Sequence, residues 1–131
     1  GMCHMDAAMT QQGLNEMGID DVDLIFIENV GNLVCPAEFD TGAGINITIL
    51  SVPEGDDKPA KYPLVYTVSD VVLINKVDAL AVFNFDKELV EKRIHTLNPK
   101  AQIFYISAKK DEGFESWINY LKEKMKEWEE K

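Results

Sequence analysis

Cysteine and histidine are scarce in this sequence, which has only two of each among its 131 residues. So few cysteines exclude a small, disulfide-rich fold of the secreted kind. Cys3 and Cys35 are far enough apart in the chain to form one disulfide, but nothing else in the sequence indicates export. In a reducing compartment thiols serve metal binding or catalysis more often than cross-linking. We therefore expect a cytoplasmic protein in which any cysteine chemistry is thiol or metal chemistry.

Positive charge and long apolar runs are lacking as well. Lys and Arg number 13 against 23 Asp and Glu, which gives a net charge of −10. Proteins that bind a phosphate backbone depend on clustered Lys and Arg, so this balance argues against nucleic acid as a partner. No apolar run approaches the length of about 20 residues that a membrane-spanning helix needs, which argues against a membrane. The length predicts a single domain over residues 1–131.

Short apolar runs without clean polar alternation indicate strands that are buried on both faces, as in a parallel sheet covered by helices. These runs are VDLIFIE (22–28), INITILSV (45–52), DVVLINK (70–76) and AQIFYIS (101–107).

Amphipathic helical patterns lie around these runs. One covers residues 5–17, and another covers residues 86–97 with Asp86 as its N-cap. The last carries apolar residues at helical spacing from Phe114 to Trp128. Alternating strands and helices predict an α/β fold with a parallel sheet flanked by helices and joined by right-handed crossovers.

The NKVD segment places Asn75, Lys76 and Asp78 at the end of a predicted strand, where α/β sheets bind ligands. A carboxylate such as Asp78 can accept hydrogen bonds from the neighbouring N1–H and 2-amino donors of guanine, a pair that adenine lacks. Asn75 can reach guanine N7, and the stem of Lys76 can lie across the base. An N-K-x-D string also occurs by chance in acidic proteins, so this motif alone leaves both interpretations open.

The SAK segment, Ser107, Ala108 and Lys109, follows the next predicted strand. A backbone N–H in this segment can contact the guanine oxygen. NKxD and SAK at successive strand ends are the fourth and fifth guanine-binding motifs of GTPases. Together they predict a guanine site at the carboxyl edge of the sheet.

The ENVG segment follows the first predicted strand, where GTPases carry an acid followed two residues later by glycine. Glu28 would bind a magnesium ion through a water, and Gly31 would bring a backbone N–H to the terminal phosphate. The alternative is an ordinary turn in which Asn29 and Gly31 are present for backbone reasons.

Cys3, His4 and Cys35 form a candidate metal site, because thiolate sulfur and imidazole nitrogen suit Zn²⁺ or Ni²⁺. Three protein ligands leave one coordination position open, which suits transfer or a bridging site. Spacing alone favours a simpler interpretation, with Cys35 a small buried apolar residue and His4 a surface residue, because the sequence has no C-x-x-C pair.

These segments together resemble the HypB family, the GTPases that help to insert nickel into [NiFe] hydrogenases. CHMDA resembles the family's C-H-L-D-A segment. IENVGNLVCPAEFD is similar, almost residue for residue, to the family's region around the third conserved GTPase motif (G3). EGDDKPAKYP and INKVD follow in the family's order. Urease accessory GTPases differ after this strand and resemble the chain less. The resemblance covers nearly the whole chain, but only the later part of the family's domain.

The resemblance implies a P-loop NTPase-like fold of the SIMIBI type. It assigns zinc or nickel to Cys3, His4 and Cys35, and magnesium and the γ-phosphate to Glu28 and Gly31. It further implies GTP or GDP with Mg²⁺ as ligand and a nucleotide-promoted homodimer, with EGDDKPAKYP near the subunit contact. The expected partners are a hydrogenase maturation factor or the hydrogenase large subunit.

The phosphate-binding loop of this fold is missing, because no G-x-x-x-x-G-K-[ST] occurs in the 131 residues. In P-loop proteins that loop cradles the phosphates and helps to hold magnesium. We therefore expect a partial G domain that can read the base, with GTP hydrolysis confined to a protein that also has the loop, expected before Cys3. The alternatives are a non-hydrolysing module for metal binding and dimerisation, and an inactive remnant.

The missing loop has a structural consequence for the sheet. In this fold the phosphate-loop strand lies between the strands predicted at 22–28 and 45–52. Without it both strands have unpaired edges, which readily pair with other strands. We predict that the chain fills this gap by dimerisation, strand exchange or rearrangement.

Overall fold

The sheet of the protein has three parallel strands. The computed structural model describes residues 5–29, 31 and 33–130, with Cys35 and Pro36 described by their backbone only. The strands, in spatial order, are β1 Ile47–Ser51, β2 Val71–Asn75 and β3 Gln102–Tyr105. Ile47 lies beside Val71 and Val71 beside Gln102, so the carboxyl ends of all strands meet at one edge. The predicted α/β fold with a parallel sheet is confirmed.

Residues 22–28 do not form the strand that their apolar pattern predicts. The prediction of a strand here is wrong. In the described part of the chain these residues are not a strand, and the sheet ends at β1. An apolar, β-branched run becomes a strand only when a ladder partner lies about 4.8 Å away. A cavity separates this segment from β1, so its main chain has no ladder to join. Phe26 accordingly remains 67% exposed.

Helices connect and flank the strands. They are α1 Ala7–Met17, α2 Lys58–Lys61, α3 Pro63–Thr67, α4 Lys87–Leu97 and α5 Phe114–Glu129, with 3₁₀ turns at Cys35–Glu38, Val52–Glu54 and Val77–Ala79. Side-chain caps start two of them: Asp6 accepts the N–H of Met9 at 2.9 Å, and Asp86 accepts the N–H of Leu89 at 3.0 Å. The predicted helices over 5–17, 86–97 and the C-terminal stretch are confirmed. Across the described part of the chain, none of these helices has the length and apolar character to cross a bilayer.

One face of the sheet is fully covered. Leu50 of β1 and Ile74 of β2 are buried there with Tyr66 of α3 and with Val90 and Ile94 of α4. Burying a side chain of this size contributes about 1.5–3 kcal/mol. This cluster therefore holds β1 and β2 in place and fixes the loops that follow them.

The opposite face is only partly covered. Trp117 of α5 packs on Leu73, and its ring lies 5.7 Å from that of Phe104 and 6.1 Å from that of Tyr120. This cover does not reach the middle of β1, where Ile49 is 58% exposed. The sheet thus has one closed face and one face that is open at the β1 edge.

Candidate guanine site

The loops after β2 and β3 are joined by two side-chain hydrogen bonds. The N–H of Ala108 donates to Oδ1 of Asn75 at 3.1 Å. The hydroxyl of Ser107 donates to Oδ1 of Asp78 at 2.7 Å. Both bonds connect residues about thirty positions apart, so the fold brings the two predicted guanine motifs together.

A tight turn places Asp78 beside Ser107. Lys76 adopts the left-handed conformation with φ of 62°, and the 3₁₀ turn Val77–Ala79 follows at once. Val77 N–H donates to the carbonyl of Ile106 at 3.2 Å, which ties this turn to the end of β3. A left-handed non-glycine residue costs about 1–3 kcal/mol, so the surrounding structure must hold it. Lys76 is exposed at the rim, where its stem is accessible to a ligand.

Asp78 is held in its charged form. The Ser107 hydroxyl is the main cause that keeps the pKa of Asp78 below its ordinary value, and partial desolvation opposes it. The nearby charges of Lys110 and Lys109 act in the same direction as Ser107. A carboxylate has two acceptor oxygens, so the bond to Ser107 leaves Asp78 with acceptor capacity for a ligand.

Replacing Ser107 by alanine is expected to raise the pKa of Asp78 toward its ordinary value, because the hydroxyl no longer stabilises the anion. The charged form stabilises the fold above the unfolded pKa, and that contribution is lost as the pH falls through the folded pKa. Carboxyl-carbon NMR titration measures the shift. Asp57, whose pKa is lowered chiefly by Lys61, provides the internal control and should not change. An unchanged Asp78 pKa would show that Ser107 does not hold this carboxylate in solution.

A closed turn presents Ala108 and Lys109 to solvent. Ser107 and Glu112 exchange two backbone hydrogen bonds, of 2.9 and 3.1 Å, across it. Gly113 follows with φ of 78°, and a Cβ at this position would overlap the carbonyl oxygen of Tyr105. Sequence reasoning missed Gly113; the available signal was a glycine directly before the amphipathic pattern of α5, at the N-cap position, where glycine is one of the favoured residues.

Replacing Gly113 by alanine is expected to destabilise the protein by at least about 1–3 kcal/mol, because alanine is strained at positive φ and its Cβ meets main chain. The matched control is Gly13→Ala, since Gly13 lies inside α1 and a Cβ there would meet nothing within 4 Å. That control should gain about 0.5–1 kcal/mol through helix propensity. Urea unfolding followed by circular dichroism measures both. Equal stabilities for the two variants would contradict this account of the turn.

Glu28 and Gly31, the predicted magnesium and phosphate residues, both lie exposed after the segment that forms no strand. Within the described residues, no hydrogen bond or ion pair joins either of them to the guanine-reading loops. A Cβ at Gly31 would meet nothing within 4 Å, so the packing of the chain itself gives no reason for glycine there. The roles predicted for Glu28 and Gly31 therefore stay predictions.

The predicted metal ligands fall outside what the structure describes. Cys3 and His4 precede the described residues, and Cys35 starts a 3₁₀ turn but its side chain is not described. Elsewhere along the described ranges, no group of three or more His, Cys, Asp or Glu residues is placed to hold a metal ion. The other histidine, His95, is in α4 with Nε2 at 3.0 Å from the carbonyl oxygen of Ala101. His95 therefore makes a contact that links α4 to the residue before β3.

The EGDDKPAKYP segment carries two lysines that already have partners, Lys58, which is half-buried, and Lys61, which is exposed. Lys61 Nζ lies 3.0 Å from Asp57 Oδ2, and Lys58 Nζ lies 5.5 Å from the centre of the Tyr62 ring. Both contacts are at the surface, where an ion pair contributes only about 0–1 kcal/mol. Either lysine can therefore be recruited by a ligand at little cost.

A cavity of about 920 Å³ lies between β1 and the 22–28 segment. Its walls include Val22 and Ile25 on one side, Ile47 and Thr48 of β1 on the other, and Leu121 of α5. The cavity is thus bounded by the open edge of the sheet, next to the face that α5 leaves uncovered.

The geometry of the guanine loops agrees with a family-level match. Residues 1–105 match the family described as CobW/HypB/UreG, nucleotide-binding domain. The chain belongs to this family. The joined NKVD and SAK loops therefore belong to a domain whose family is described as nucleotide-binding.

Curated relatives within the CobW/HypB/UreG family are hydrogenase maturation factors. The chain is 45% identical over 119 residues to hydrogenase maturation factor HypB of Escherichia coli K12, covering 91% of the chain and 41% of that protein. It is 43% identical over 129 residues to the hydrogenase/urease maturation factor HypB of Helicobacter pylori J99, covering 95% and 53%. The chain therefore spans about half the length of these relatives. The predicted resemblance to HypB is confirmed.

Solved family structures have the same fold. HypB from Archaeoglobus fulgidus superposes with a TM-score of 0.85 at 40% identity, over 92% of this chain and 64% of that one. HypB from Helicobacter pylori in complex with nickel superposes with a TM-score of 0.88 at 43% identity, over 96% and 60%. The predicted P-loop NTPase-like fold is thereby confirmed, with part of each solved chain lying outside the match.

Proposed function

We propose that this chain acts in nickel incorporation into [NiFe] hydrogenase, as the base-reading part of a GTP-dependent maturation factor. The observation that carries the proposal is the pair of hydrogen bonds from Ala108 to Asn75 and from Ser107 to Asp78. These bonds hold a carboxylate and a carboxamide side by side at the carboxyl edge of the sheet. HypB relatives with 43–45% identity support the biological role.

Guanine recognition follows from the donors and acceptors that these bonds leave available. Asp78 accepts from the N1–H and 2-amino group of the base, for which its charged state and second oxygen suit it. Asn75 uses its amide oxygen on Ala108, so its NH₂ group is oriented to donate to guanine N7. The aliphatic stem of Lys76 covers the base plane, and a backbone N–H of the SAK turn meets the guanine oxygen.

Nickel or zinc is bound by Cys3, His4 and Cys35 in this proposal. Nickel is the cargo delivered to the hydrogenase, so the three-ligand set with one open position is suited to release. Thiolates and imidazole are donors that accept both ions, and the relative solved with nickel supports a nickel-binding role for the family member.

Phosphate recognition requires residues beyond those of this chain. In a protein that also has a phosphate-binding loop, Glu28 would help to hold Mg²⁺ and the backbone N–H of Gly31 would bind the γ-phosphate. Hydrolysis of GTP then changes dimer and metal affinity, and it is confined to that longer protein.

We further propose that the chain assembles with a second copy of itself and with other proteins. The chain forms a homodimer in which the 54–63 segment lies near the contact, with Lys58 or Lys61 reaching the nucleotide of the partner subunit. Its further partners are a hydrogenase maturation factor or the hydrogenase large subunit, in the cytoplasm. The acidic net charge of −10 supports a protein partner over nucleic acid or a membrane.

A second candidate is a non-hydrolysing module that binds metal and dimerises, with weak or no affinity for nucleotide. It is favoured by the absence of G-x-x-x-x-G-K-[ST] from the sequence.

Calorimetric titration of the chain with GTP and GDP separates the two candidate functions. We expect dissociation constants weaker than micromolar, because most of the binding energy of a nucleotide comes from its phosphates and magnesium. Micromolar or tighter GTP binding would eliminate the second candidate, whereas guanine preference with weak affinity supports the first. No nucleotide effect at all, together with no zinc or nickel uptake, would leave an inactive remnant.

A further inference from the structure

Asp56 joins the segment that follows β1 to the start of α4. Its Oδ2 accepts the backbone N–H of Asp86 at 2.7 Å. Nη1 of Arg93 donates to the carbonyl of Asp56 at 2.7 Å and lies 3.3 Å from Asp56 Oδ1. Asp86 is the N-cap of α4, and Arg93 lies about two helical turns further on, so both are on the same side of the helix. Asp56 therefore binds α4 at two points.

Local hydrogen bonds fix Asp56 relative to the sheet. At the end of β1, the N–H of Ser51 donates to Oε2 of Glu54 at 2.7 Å. The N–H of Gly55 then donates to the carbonyl of Val52 at 3.1 Å, and the side chain of Val52 is buried in the core. Asp56 follows this pair of turns directly, so it is attached to the sheet through a short and well-bonded segment.

The contact between Asp56 and Arg93 is partly shielded from solvent. The two side chains are 21% and 31% exposed, whereas those of the surface pair Asp57 and Lys61 are 46% and 59% exposed. Ion pairs that are partly buried are screened by salt less than exposed pairs. We therefore expect the contact between Asp56 and Arg93 to persist at physiological ionic strength.

Asp86 is also the last residue of the loop that begins with the guanine-reading residues. Residues 76–86 form consecutive turns, and backbone hydrogen bonds connect each turn with the next. The start of this loop is held at the end of β3, because the N–H of Val77 donates to the carbonyl of Ile106 at 3.2 Å. The far end is held by the bond from Asp86 to Asp56. The loop is thus fixed at both ends.

The middle of the 76–86 loop is exposed. Residues 81–84 all lie at the surface, and Val82 is 80% exposed. Leu80 and Phe85 pack against the core on either side of this stretch, but they are only partly buried. Exposed side chains contribute little packing energy, and segments with few buried apolar contacts open locally at low cost. The position of the loop therefore depends strongly on the contacts at its two ends.

We infer that Asp56 is a positioning residue for the guanine site: by fixing Asp86 and α4, it holds the 76–86 loop so that Asp78 meets the base. This role rests on the proposed guanine recognition. Asp56 lies outside the NKVD and SAK segments, and it acts through the loop by setting where Asp78 lies. The same contact keeps the 54–63 segment and the guanine-reading loop in one fixed arrangement.

The first test compares the unmodified chain with Asp56→Ala in the absence of nucleotide. The substitution removes the carboxylate that accepts the N–H of Asp86. We expect amide exchange at Val77 and Leu80 to become at least about tenfold faster, because the loop opens locally more often. We also expect the carboxyl-carbon resonance of Asp78 to move. NMR measures both effects.

The matched control for loss of stability is Asn98→Ala. The side chain of Asn98 donates to the carbonyls of Thr67 and Ser69, at 3.2 and 2.7 Å, at the opposite end of α4 from Asp86. This variant should lower the midpoint of urea unfolding, as Asp56→Ala does. It should leave the exchange of the 76–86 loop unchanged.

The second test measures guanine affinity by NMR titration with millimolar GDP and ADP. Asp56→Ala is expected to weaken GDP binding roughly 3- to 30-fold, which is the range for residues that act on a ligand through other residues. Asp56→Asn retains an oxygen that can accept the N–H of Asp86, so it should recover most of this loss. Asn98→Ala should change the affinity less than about twofold. So should Glu88→Ala, which removes one negative charge at an exposed position in the first turn of α4.

Two results would overturn the positioning role. The first is an Asp56→Ala variant whose loop exchange and Asp78 resonance are those of the unmodified chain. The second is an equal response to Asp56→Ala and Asn98→Ala, which would show a general loss of stability. If Asp56→Ala does not fold by circular dichroism, Arg93→Gln is measured in its place, with the same expected direction. Equal responses of the unmodified chain to GDP and ADP would remove the proposed guanine recognition, whereas the nucleotide-free measurements decide separately whether Asp56 positions Asp78.

Discussion

Replacing Asp78 by asparagine is expected to abolish the preference of this chain for guanine over adenine nucleotides. The affinity for GDP should fall roughly 10- to 100-fold, because a hydrogen bond to a charged group contributes about 1.5–3 kcal/mol. Asparagine has one acceptor oxygen where the carboxylate has two. Its NH₂ group is a donor, so it cannot accept a hydrogen bond from the N1–H or the 2-amino group of the base. NMR titration with millimolar GDP and ADP, followed at the amides of 75–78 and 107–109, measures the change.

The matched control is Asp20→Asn, which removes one negative charge at an exposed position outside the guanine loops. It should leave both titrations as in the unmodified chain. Equal GDP binding by the Asp78 variant and the control would show that the joined loops do not read guanine. Equal responses to GDP and ADP in the unmodified chain would lead to the same conclusion.

Replacing Cys35 by serine is expected to lower zinc and nickel affinity about 100-fold. A four-ligand zinc site contributes about 10–16 kcal/mol, so one ligand accounts for roughly 3 kcal/mol. Cys3→Ser and His4→Gln should have losses of the same order if the three residues bind one ion. Competition against a chromophoric chelator at pH 7.5 measures these constants.

The histidine control is His95→Gln, because His95 is engaged by the Ala101 carbonyl in α4 and should not affect metal affinity. The pH dependence of metal affinity is a second test. Thiolate and neutral imidazole are the ligating forms, so affinity for either ion should fall steeply between pH 7.5 and pH 5. Equal affinity at the two pH values, or retention of metal by the Cys35 variant, would contradict a site made of cysteine and histidine.

The guanine loops illustrate what local sequence can predict. Asn75, Asp78 and Ser107 follow buried apolar runs directly, and a parallel sheet brings the carboxyl ends of its strands to one edge. Their proximity therefore follows from the pattern and the topology rule. The hydrogen bonds between them were not predictable, because the turn that places Asp78 beside Ser107 depends on the left-handed conformation of Lys76.

Gly113 and residues 22–28 illustrate what local sequence cannot predict. Glycine is required at position 113 because the carbonyl of Tyr105 occupies the space of a Cβ, a contact that exists only after β3 and α5 are assembled. Residues 22–28 have the composition of a buried strand and yet form none.

The sequence by itself determined the parallel α/β class, the places of β1, β2 and β3, the capped helices and the positions of the NKVD and SAK segments at the strand ends. Each of these depends on apolar periodicity or on residue type at a strand end, which are local properties. Only the tertiary structure decided that residues 22–28 form no strand, that the sheet of the described residues ends at β1, that Ile49 is left exposed and that a cavity of about 920 Å³ lies beside β1. The physical reason is that a strand exists only as a member of a ladder, so its presence depends on a neighbour that its own residues do not specify.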